Sequence, residues 1–149
     1  MKIPVENVII AHTDTEPCTT ISMCTFRVYN IQTHHMDTSL DFNDIGYQFL
    51  VGGDGAAYEG RGWEKIGAHT IGYNRNSVCI AFIGTFAKKK PNDKQLKAAK
   101  LLIEEGLRQG KIATDYKLYG ARQLTPTESP GDALYDIIQT WPHWSDEKV

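Results

Sequence analysis

The strongest strand signal in the chain is the stretch VCIAFIGTF, which runs from Val78 to Phe86. Its apolar residues are continuous and rich in β-branched side chains, which is typical of a buried strand. Three lysines and a Pro-Asn pair follow and break the pattern. A second run of the same kind, VENVIIAH, spans Val5 to His12. Both runs predict buried strands.

Shorter strands are predicted elsewhere in the chain. Tyr47 to Val51 and Ala56 to Glu59 flank the sequence Gly-Gly-Asp-Gly. Glycine supplies the positive φ that a tight hairpin turn needs, so these segments predict a hairpin. Lys117 to Leu124 predicts one more strand.

Two longer segments have the apolar spacing of helices. The first extends from Thr19 to about His35, and Thr19 and Thr20 are its candidate N-caps. The second has the sequence LKAAKLLIEEGLRQG, with Asp93 as a possible N-cap. Gly110 ends it as a glycine just beyond the helix.

A short last helix is predicted from Gly131 to Thr140, before Trp141-Pro142. The predicted order is therefore β-α-β-β-β-α-β-α. This order indicates an α/β fold, a mixed sheet with helices packed on it. With 149 residues and 41% hydrophobic side chains, we expect a single domain over residues 1–149.

Charge and hydropathy exclude several classes of protein. The formal net charge is −2, which gives no overall field for nucleic acid or for an anionic membrane surface. The opening MKIPVENVII lacks the apolar stretch of a signal peptide, and no run approaches the roughly 20 apolar residues of a membrane span. We therefore expect either a cytosolic protein or a piece of a longer one.

Three cysteines leave their own pairing open. Cys18 and Cys24 lie six residues apart, close enough to form a disulfide, which would stabilise the fold by about 2 kcal/mol or less. Spacing alone equally allows two unrelated thiols. Cys79 lies inside the central apolar run, and we expect it to be a buried free thiol.

The usual catalytic signatures are missing from the sequence. It contains five histidines but no HExxH, no CxxC and no GxSxG. From these residues alone, the chain is a soluble α/β domain with a polar, aromatic-lined face.

Longer motifs carry a family resemblance. They are VIIAHT, NDIGYQFLVGGDGAAYEGRGW, GAHTIGYNRNS, AFIGTF, LYGARQL, TESPG and TWPHW. In this order, over nearly the whole chain, they resemble a peptidoglycan recognition protein domain, a family similar to zinc amidases that cleave the muramoyl–L-alanine bond. The resemblance implies a central mixed sheet flanked by three helices, with a groove on one face for the peptide stem and muramyl sugar.

The resemblance also implies where a catalytic zinc would bind. Catalytic members use His, His and Cys at the positions that hold Ala11, Ala121 and Ser129 here. Alanine has no donor atom, and a hydroxyl is a poor zinc ligand. The tyrosine that assists the amidase reaction is retained as Tyr47, but without zinc there is no activated water. We therefore expect no metal, no cofactor and no amidase activity, and we expect the side chain of His12 to point to the opposite face of the strand.

Other positions match the family's ligand groove. They are Thr13, His35, Tyr47, Arg61 and His69. Arg61 stands where members selective for diaminopimelate-type peptidoglycan carry arginine, whose guanidinium suits the extra carboxylate. Asp41 and Phe42, in a stretch that is one residue longer than in relatives, depart from the family pattern. This departure argues against direct ligand binding.

The combination resembles a non-catalytic receptor, most closely the ectodomains of insect LC-type membrane receptors. It implies an extracellular domain that senses diaminopimelate-type peptidoglycan fragments and docks, as a co-receptor, on a related ligand-loaded domain. Direct muropeptide binding is the alternative, and a decoy domain or a zinc amidase are two others. An extracellular address also favours the Cys18–Cys24 disulfide, because the family carries a bridge there.

Overall fold

The computed structural model describes residues 1–37, 40 and 42–147. Within them, five strands form one sheet in the order β3-β2-β4-β1-β5. The elements, in chain order, are β1 (Val5–His12), α1 (Ile21–Asp37), β2 (Phe49–Val51), β3 (Ala57–Glu59), β4 (Ser77–Phe82), α2 (Asp93–Arg108), β5 (Ile112–Gly120), a 3₁₀ turn (Ala121–Gln123) and α3 (Asp132–Ile138).

The sheet is mixed, as the sequence predicts. β1 is parallel to both of its neighbours, β4 and β5, and β2 is parallel to β4. Only the short β2–β3 pair is antiparallel. The apolar runs occupy the centre, because β1 and β4 are the strands that must be covered on both faces.

Alternate residues of the central strands face two separate cores. Ile9, Ala11 and Cys79 pack on the side of α1, together with Leu50 of β2. The opposite side is packed by α2 and α3, and its residues include Val8, Ile10, Val51, Phe82, Ala99, Ile103, Leu134 and Ile138. The chain therefore has an α1 face and an α2/α3 face.

Helix α1 begins one residue after Thr20, whose Oγ accepts the N–H of Met23 at 3.2 Å. Cys18 and Cys24 form a disulfide with a Cα–Cα distance of 5.2 Å, just before and inside this first turn. Cys79 is a buried free thiol. The bridge between Cys18 and Cys24 and the thiol of Cys79 are both as expected.

Several predicted boundaries were wrong. Two differences are small, because β2 begins at Phe49 rather than Tyr47 and α3 spans Asp132–Ile138 rather than 131–140.

The strand predicted to Phe86 ends at Phe82, because the backbone turns at Gly84, where φ is 140°. Helix α2 is capped by Asn92 rather than Asp93, since the Asn92 side chain accepts the N–H of Gln95.

A further error concerns β5. This strand begins at Ile112 rather than Lys117 and ends at Gly120. It is an edge strand in which Thr114 and Asp115 face solvent, so its first half has no continuous apolar signal.

Among the helices that the structure describes, none combines the length and the hydropathy of a membrane-spanning segment.

Candidate functional site

A cavity of about 400 Å³ opens on the α1 face, at the carboxyl end of β1. Parallel strands bring their carboxyl ends to one edge of the sheet, which is why residues distant in sequence meet here. Ala11 comes from β1, Ala121 from the turn that follows β5, and Ser129 from the segment before α3. Also lining the cavity are His12, Thr13, Asp14, Tyr47, His69, Thr70, Cys79, Thr125, Thr127 and Glu128.

The three positions implied as zinc ligands are thus neighbours in one cavity, but their side chains do not fit a metal. Ala11 and Ala121 offer no donor atom. The Oγ of Ser129 accepts the backbone N–H of His12 at 3.0 Å. Across residues 1–37, 40 and 42–147, no group of three His, Cys, Asp or Glu side chains is placed to hold a metal ion.

The ring of His12 is turned away from this cavity's floor. Its Nδ1 accepts the backbone N–H of Phe86 at 3.2 Å, on the α2/α3 face. An accepting Nδ1 leaves the proton of the neutral ring on Nε2. Burial lowers the pKa of His12, while the nearby carboxylate of Asp14 opposes that shift. His12 therefore acts as a fixed structural group rather than as a base for the hydroxyl of Ser129.

An aromatic cluster forms the wall between α1 and the loop before β2. The ring of His35 lies 5.5 Å from the rings of both Phe42 and Tyr47, in edge-on geometry. Its Nδ1 accepts the N–H of Gly46 at 2.8 Å. Burial lowers the pKa of His35, with smaller contributions from His34 and Arg61, and burial raises the pKa of Tyr47. Both groups are therefore neutral near pH 7.

Among the groove candidates that the structure describes, His69 alone has a buried polar atom without a hydrogen-bond partner. Its Nδ1 shares a hydrogen bond with the Oγ of Thr70 at 2.9 Å, whereas its buried Nε2 has no partner within the described residues. Burial, together with the positive charge of Arg61, lowers the pKa of His69 to about 4. A buried polar atom without a partner in a cavity is a point where a ligand group can gain a hydrogen bond.

Arg61 has a role that the sequence did not indicate. Its Nε donates to the carbonyl of Ile45 at 2.8 Å, and its two terminal nitrogens donate to the carbonyls of Ile66 and Asp44 at 2.9 and 3.3 Å. Three of its five N–H groups are thus committed to the backbone. Arg61 holds two loops together and does not line the 400 Å³ cavity; it borders a separate surface depression beside Trp63 and Lys111.

A smaller cavity of about 240 Å³ adjoins the first one and shares Thr13 with it. Helix α1 provides its other wall through Arg27, Asn30, Ile31, His34 and His35. Sequence reasoning found His35 but missed Arg27 and Asn30. Their spacing along one helix face was the available signal, once β1 and α1 are known to be adjacent. Asp41, predicted to depart from the groove pattern, lies outside the described residues, whereas Phe42 is described and packs on His35.

Comparison with known proteins finds relatives that match nearly the whole chain. Residues 1–132 match the family model of N-acetylmuramoyl-L-alanine amidase. The chain is 51% identical over 138 residues to peptidoglycan-recognition protein 2 of Holotrichia diomphalia, which covers 93% of the chain and 73% of that protein. It is 48% identical over 141 residues to peptidoglycan-recognition protein SA of Drosophila melanogaster, covering 95% and 69%.

Two solved structures resemble it closely. One is tracheal cytotoxin bound to the ectodomain complex of peptidoglycan recognition proteins LCa and LCx, with a TM-score of 0.96, 55% identity, and coverage of 98% of this chain and 87% of that one. The other is peptidoglycan recognition protein LE in complex with tracheal cytotoxin, described as monomeric diaminopimelic acid-type peptidoglycan. Its TM-score is 0.96 at 45% identity, with coverage of 98% and 85%.

Proposed function

The chain belongs to the peptidoglycan recognition proteins of the N-acetylmuramoyl-L-alanine amidase family, and from this membership we propose that it is a non-catalytic receptor domain of innate immunity. It senses diaminopimelate-type peptidoglycan fragments. It does so as a co-receptor that pairs with a ligand-loaded relative.

The observation that carries the non-catalytic part is the content of the 400 Å³ cavity. Ala11, Ala121 and Ser129 converge there from three distant segments, yet they provide a single oxygen, which is already hydrogen-bonded. A catalytic zinc needs three protein ligands and one open position. Tyr47 remains in the cavity, but a neutral phenol does not hydrolyse an amide without an activated water.

Two relatives support this ligand class. The LCa–LCx complex and the LE protein were both solved with tracheal cytotoxin, which is a monomeric diaminopimelic acid-type peptidoglycan. The LCa–LCx complex contains two recognition proteins and one kind of fragment. That arrangement supports pairing between related domains as the mode of sensing.

The state of Arg61 favours docking over direct capture. A guanidinium binds a carboxylate best through two parallel N–H groups, and Arg61 has already given three donors to backbone carbonyls. Its two remaining N–H groups, one on each terminal nitrogen, cannot shift toward a diaminopimelate carboxylate unless the loops around Ile45 and Ile66 move as well. A domain with such a groove is better suited to reading a fragment that another domain holds.

One observation favours the second candidate, direct binding. The Nε2 of His69 is buried in the cavity and lacks a partner among the described residues. A bound peptide would satisfy it through a carbonyl or carboxylate if Nε2 carries the proton, and through an N–H if Nδ1 does. Direct binding therefore predicts a ligand that enters the cavity as far as His69.

Calorimetric titration with a monomeric diaminopimelate-type muropeptide tests the two modes. We expect no heat of binding with the domain alone, and binding once a ligand-loaded relative is present. Tight binding by the domain alone, lost in His69→Ala, would support direct capture and overturn the docking role. A lysine-type muropeptide in parallel tests the ligand class.

An amidase assay tests the non-catalytic part separately. Purified domain with added zinc is incubated with muropeptide, and release of free peptide is followed by chromatography. We expect no release above the rate without protein. Zinc-dependent release would overturn the proposal.

We also propose an extracellular location, as the ectodomain of a membrane receptor. The Cys18–Cys24 disulfide supports it, because such bonds persist in oxidising compartments. Ectodomains of this kind form the LCa–LCx complex. Surface labelling of intact cells, compared with lysed cells, measures the location directly.

A further inference from the structure

Positive charge is concentrated in one segment, which comprises the loop before α2 and the first half of that helix. Residues 88–100 contain six of the sixteen Lys and Arg residues but only one of the eighteen Asp and Glu residues. This segment has a formal charge of +5 within a chain of net charge −2. We call the side chains of Lys88, Lys89, Lys90, Lys94, Lys97 and Lys100 the lysine stripe.

The lysine stripe has no anionic partner in the described part of the chain. The six ion pairs found there involve other cations, and all six stripe lysines are exposed. The stem of Lys94 lies over the turn at Gly55, and the Nζ of Lys100 lies 5.1 Å from the centre of the Trp141 ring. The side chains at both ends of the helical part are thus supported, while their ammonium groups are available.

The helical part of the lysine stripe, Lys94, Lys97 and Lys100, lies on the α2/α3 face, behind the groove. Helix α2 packs on the sheet through Ala98, Ala99 and Ile103, which share a core with Leu134 of α3. The 400 Å³ cavity is on the α1 face. A ligand on these three lysines would therefore leave the groove open.

We propose that the lysine stripe is a second binding site, which takes a linear polymer bearing repeated phosphate groups. Lysine ammonium groups bind phosphate as point charges, and a run of them gains affinity by releasing counterions from a polyanion. The site is independent of the proposed groove function and stands or falls separately from it.

The geometry of the helix selects a flexible chain over a flat membrane. From Lys94 to Lys97 to Lys100, each step of three residues turns the side chain about 60° around the axis, since an α-helix has about 3.6 residues per turn. The charges therefore curve around α2, and a flexible polymer can follow them whereas a plane meets only some. Membrane-binding helices also expose an apolar face. The apolar face of α2 is buried in the core, and Leu101 is its only large exposed hydrophobic residue within the described chain.

Titration of the full chain with long-chain inorganic polyphosphate tests the site. Two triple variants, K88Q/K89Q/K90Q and K94Q/K97Q/K100Q, divide the lysine stripe. The matched control is K2Q/K111Q/K117Q, which removes the same charge from lysines that form ion pairs elsewhere. Circular dichroism checks that each variant is folded, which we expect because all the altered lysines lie at or near the surface.

We expect polyphosphate to bind the unaltered chain, each stripe variant to lose about tenfold or more in affinity, and the control to change by no more than about twofold. The slope of log affinity against log salt should fall by about two in each stripe variant, near 0.7 for each lost phosphate contact. Absence of binding, or an equal loss in the control, would overturn the site. So would binding to phosphatidylglycerol vesicles without binding to polyphosphate.

Discussion

The Oγ of Ser129 accepts the backbone N–H of His12 at 3.0 Å, and so joins two segments that are 117 residues apart. The family resemblance implies a metal-binding thiolate at this position in catalytic relatives, whereas the serine of this chain ties the end of β1 to the segment before α3. Its role in this chain is therefore structural.

Ser129→Ala should lower the free energy of unfolding by about 1 kcal/mol, because the N–H of His12 loses its acceptor in a half-buried place. Urea unfolding measures the change. Ser22→Ala, an exposed serine in the first turn of α1, is the control and should change stability by less than about 0.5 kcal/mol. Equal effects of the two substitutions would contradict a structural role for Ser129.

The cap of α2 gives a second comparison. Asn92→Ala removes the acceptor for the N–H of Gln95 and the donor to the carbonyl of Gly53, at 2.9 Å in each case. We expect a loss of about 1–2 kcal/mol in the free energy of unfolding. Asp93→Ala removes only a charge in the first turn and should lower the free energy of unfolding by about 0.5 kcal/mol. This loss should become smaller in high salt, because salt screens the interaction of the charge with the helix dipole. A larger loss of stability in Asp93→Ala than in Asn92→Ala would show that Asp93 caps the helix.

The sequence predicts the central strands and the helices, because β1 and β4 are continuous apolar runs and α2 has a clear apolar face. It does not predict the start of β5, where an exposed edge strand needs no apolar pattern. The choice between Asn92 and Asp93 is equally hidden, since either side chain can cap a helix and only backbone geometry decides.

The sequence predicts only those features of the candidate site that depend on the type of a side chain. Alanine at positions 11 and 121 supplies no donor atom at two of the zinc-ligand positions that the family resemblance implies. The role of Arg61 could not be found in this way, because its carbonyl partners Asp44, Ile45 and Ile66 accept through the backbone and leave no mark on residue type. A contact between a side chain and a backbone carbonyl therefore cannot be inferred from the residue types of the two partners.

The cysteines predict a definite thiol count. Iodoacetamide should label no cysteine in the native protein, since Cys79 is 1% exposed and burial raises the pKa of its thiol. In denaturant without reductant it should label one, and with reductant three, by mass spectrometry. Labelling of Cys18 or Cys24 before reduction would contradict the disulfide.

His69 should make stability depend on pH in the acidic range. Its pKa is lowered from 6.5 to about 4 in the folded chain, so between these values the unfolded chain binds more protons. The contribution of neutral His69 is fully present above pH 6.5 and is lost as the pH falls through about 4. Its slope is at most about 1.4 kcal/mol per pH unit. His12 and His35 act in the same direction.

His69→Gln isolates this contribution, since it keeps a polar side chain but does not titrate. Urea unfolding at several values between pH 4 and 7 should give a flatter dependence for the variant than for the unaltered chain. Identical slopes would mean that the folded chain does not hold His69 in its neutral form.

Restoring the three donors should restore a metal site. Ala11, Ala121 and Ser129 line one cavity. The backbone of this chain closely matches that of a solved relative, with a TM-score of 0.96. In A11H/A121H/S129C, two imidazoles and a thiolate would face a common space, with the fourth position open to water.

We expect about one zinc per chain by atomic absorption after dialysis, against none for the unaltered domain. The double variant A11H/A121H, which lacks the thiolate, is the control and should lose its zinc at a much lower concentration of chelator. Because Tyr47 already lies in the cavity, the triple variant should also be tested for muropeptide hydrolysis. Zinc binding by the triple variant no tighter than by the unaltered chain would show that the three positions do not converge as a ligand set.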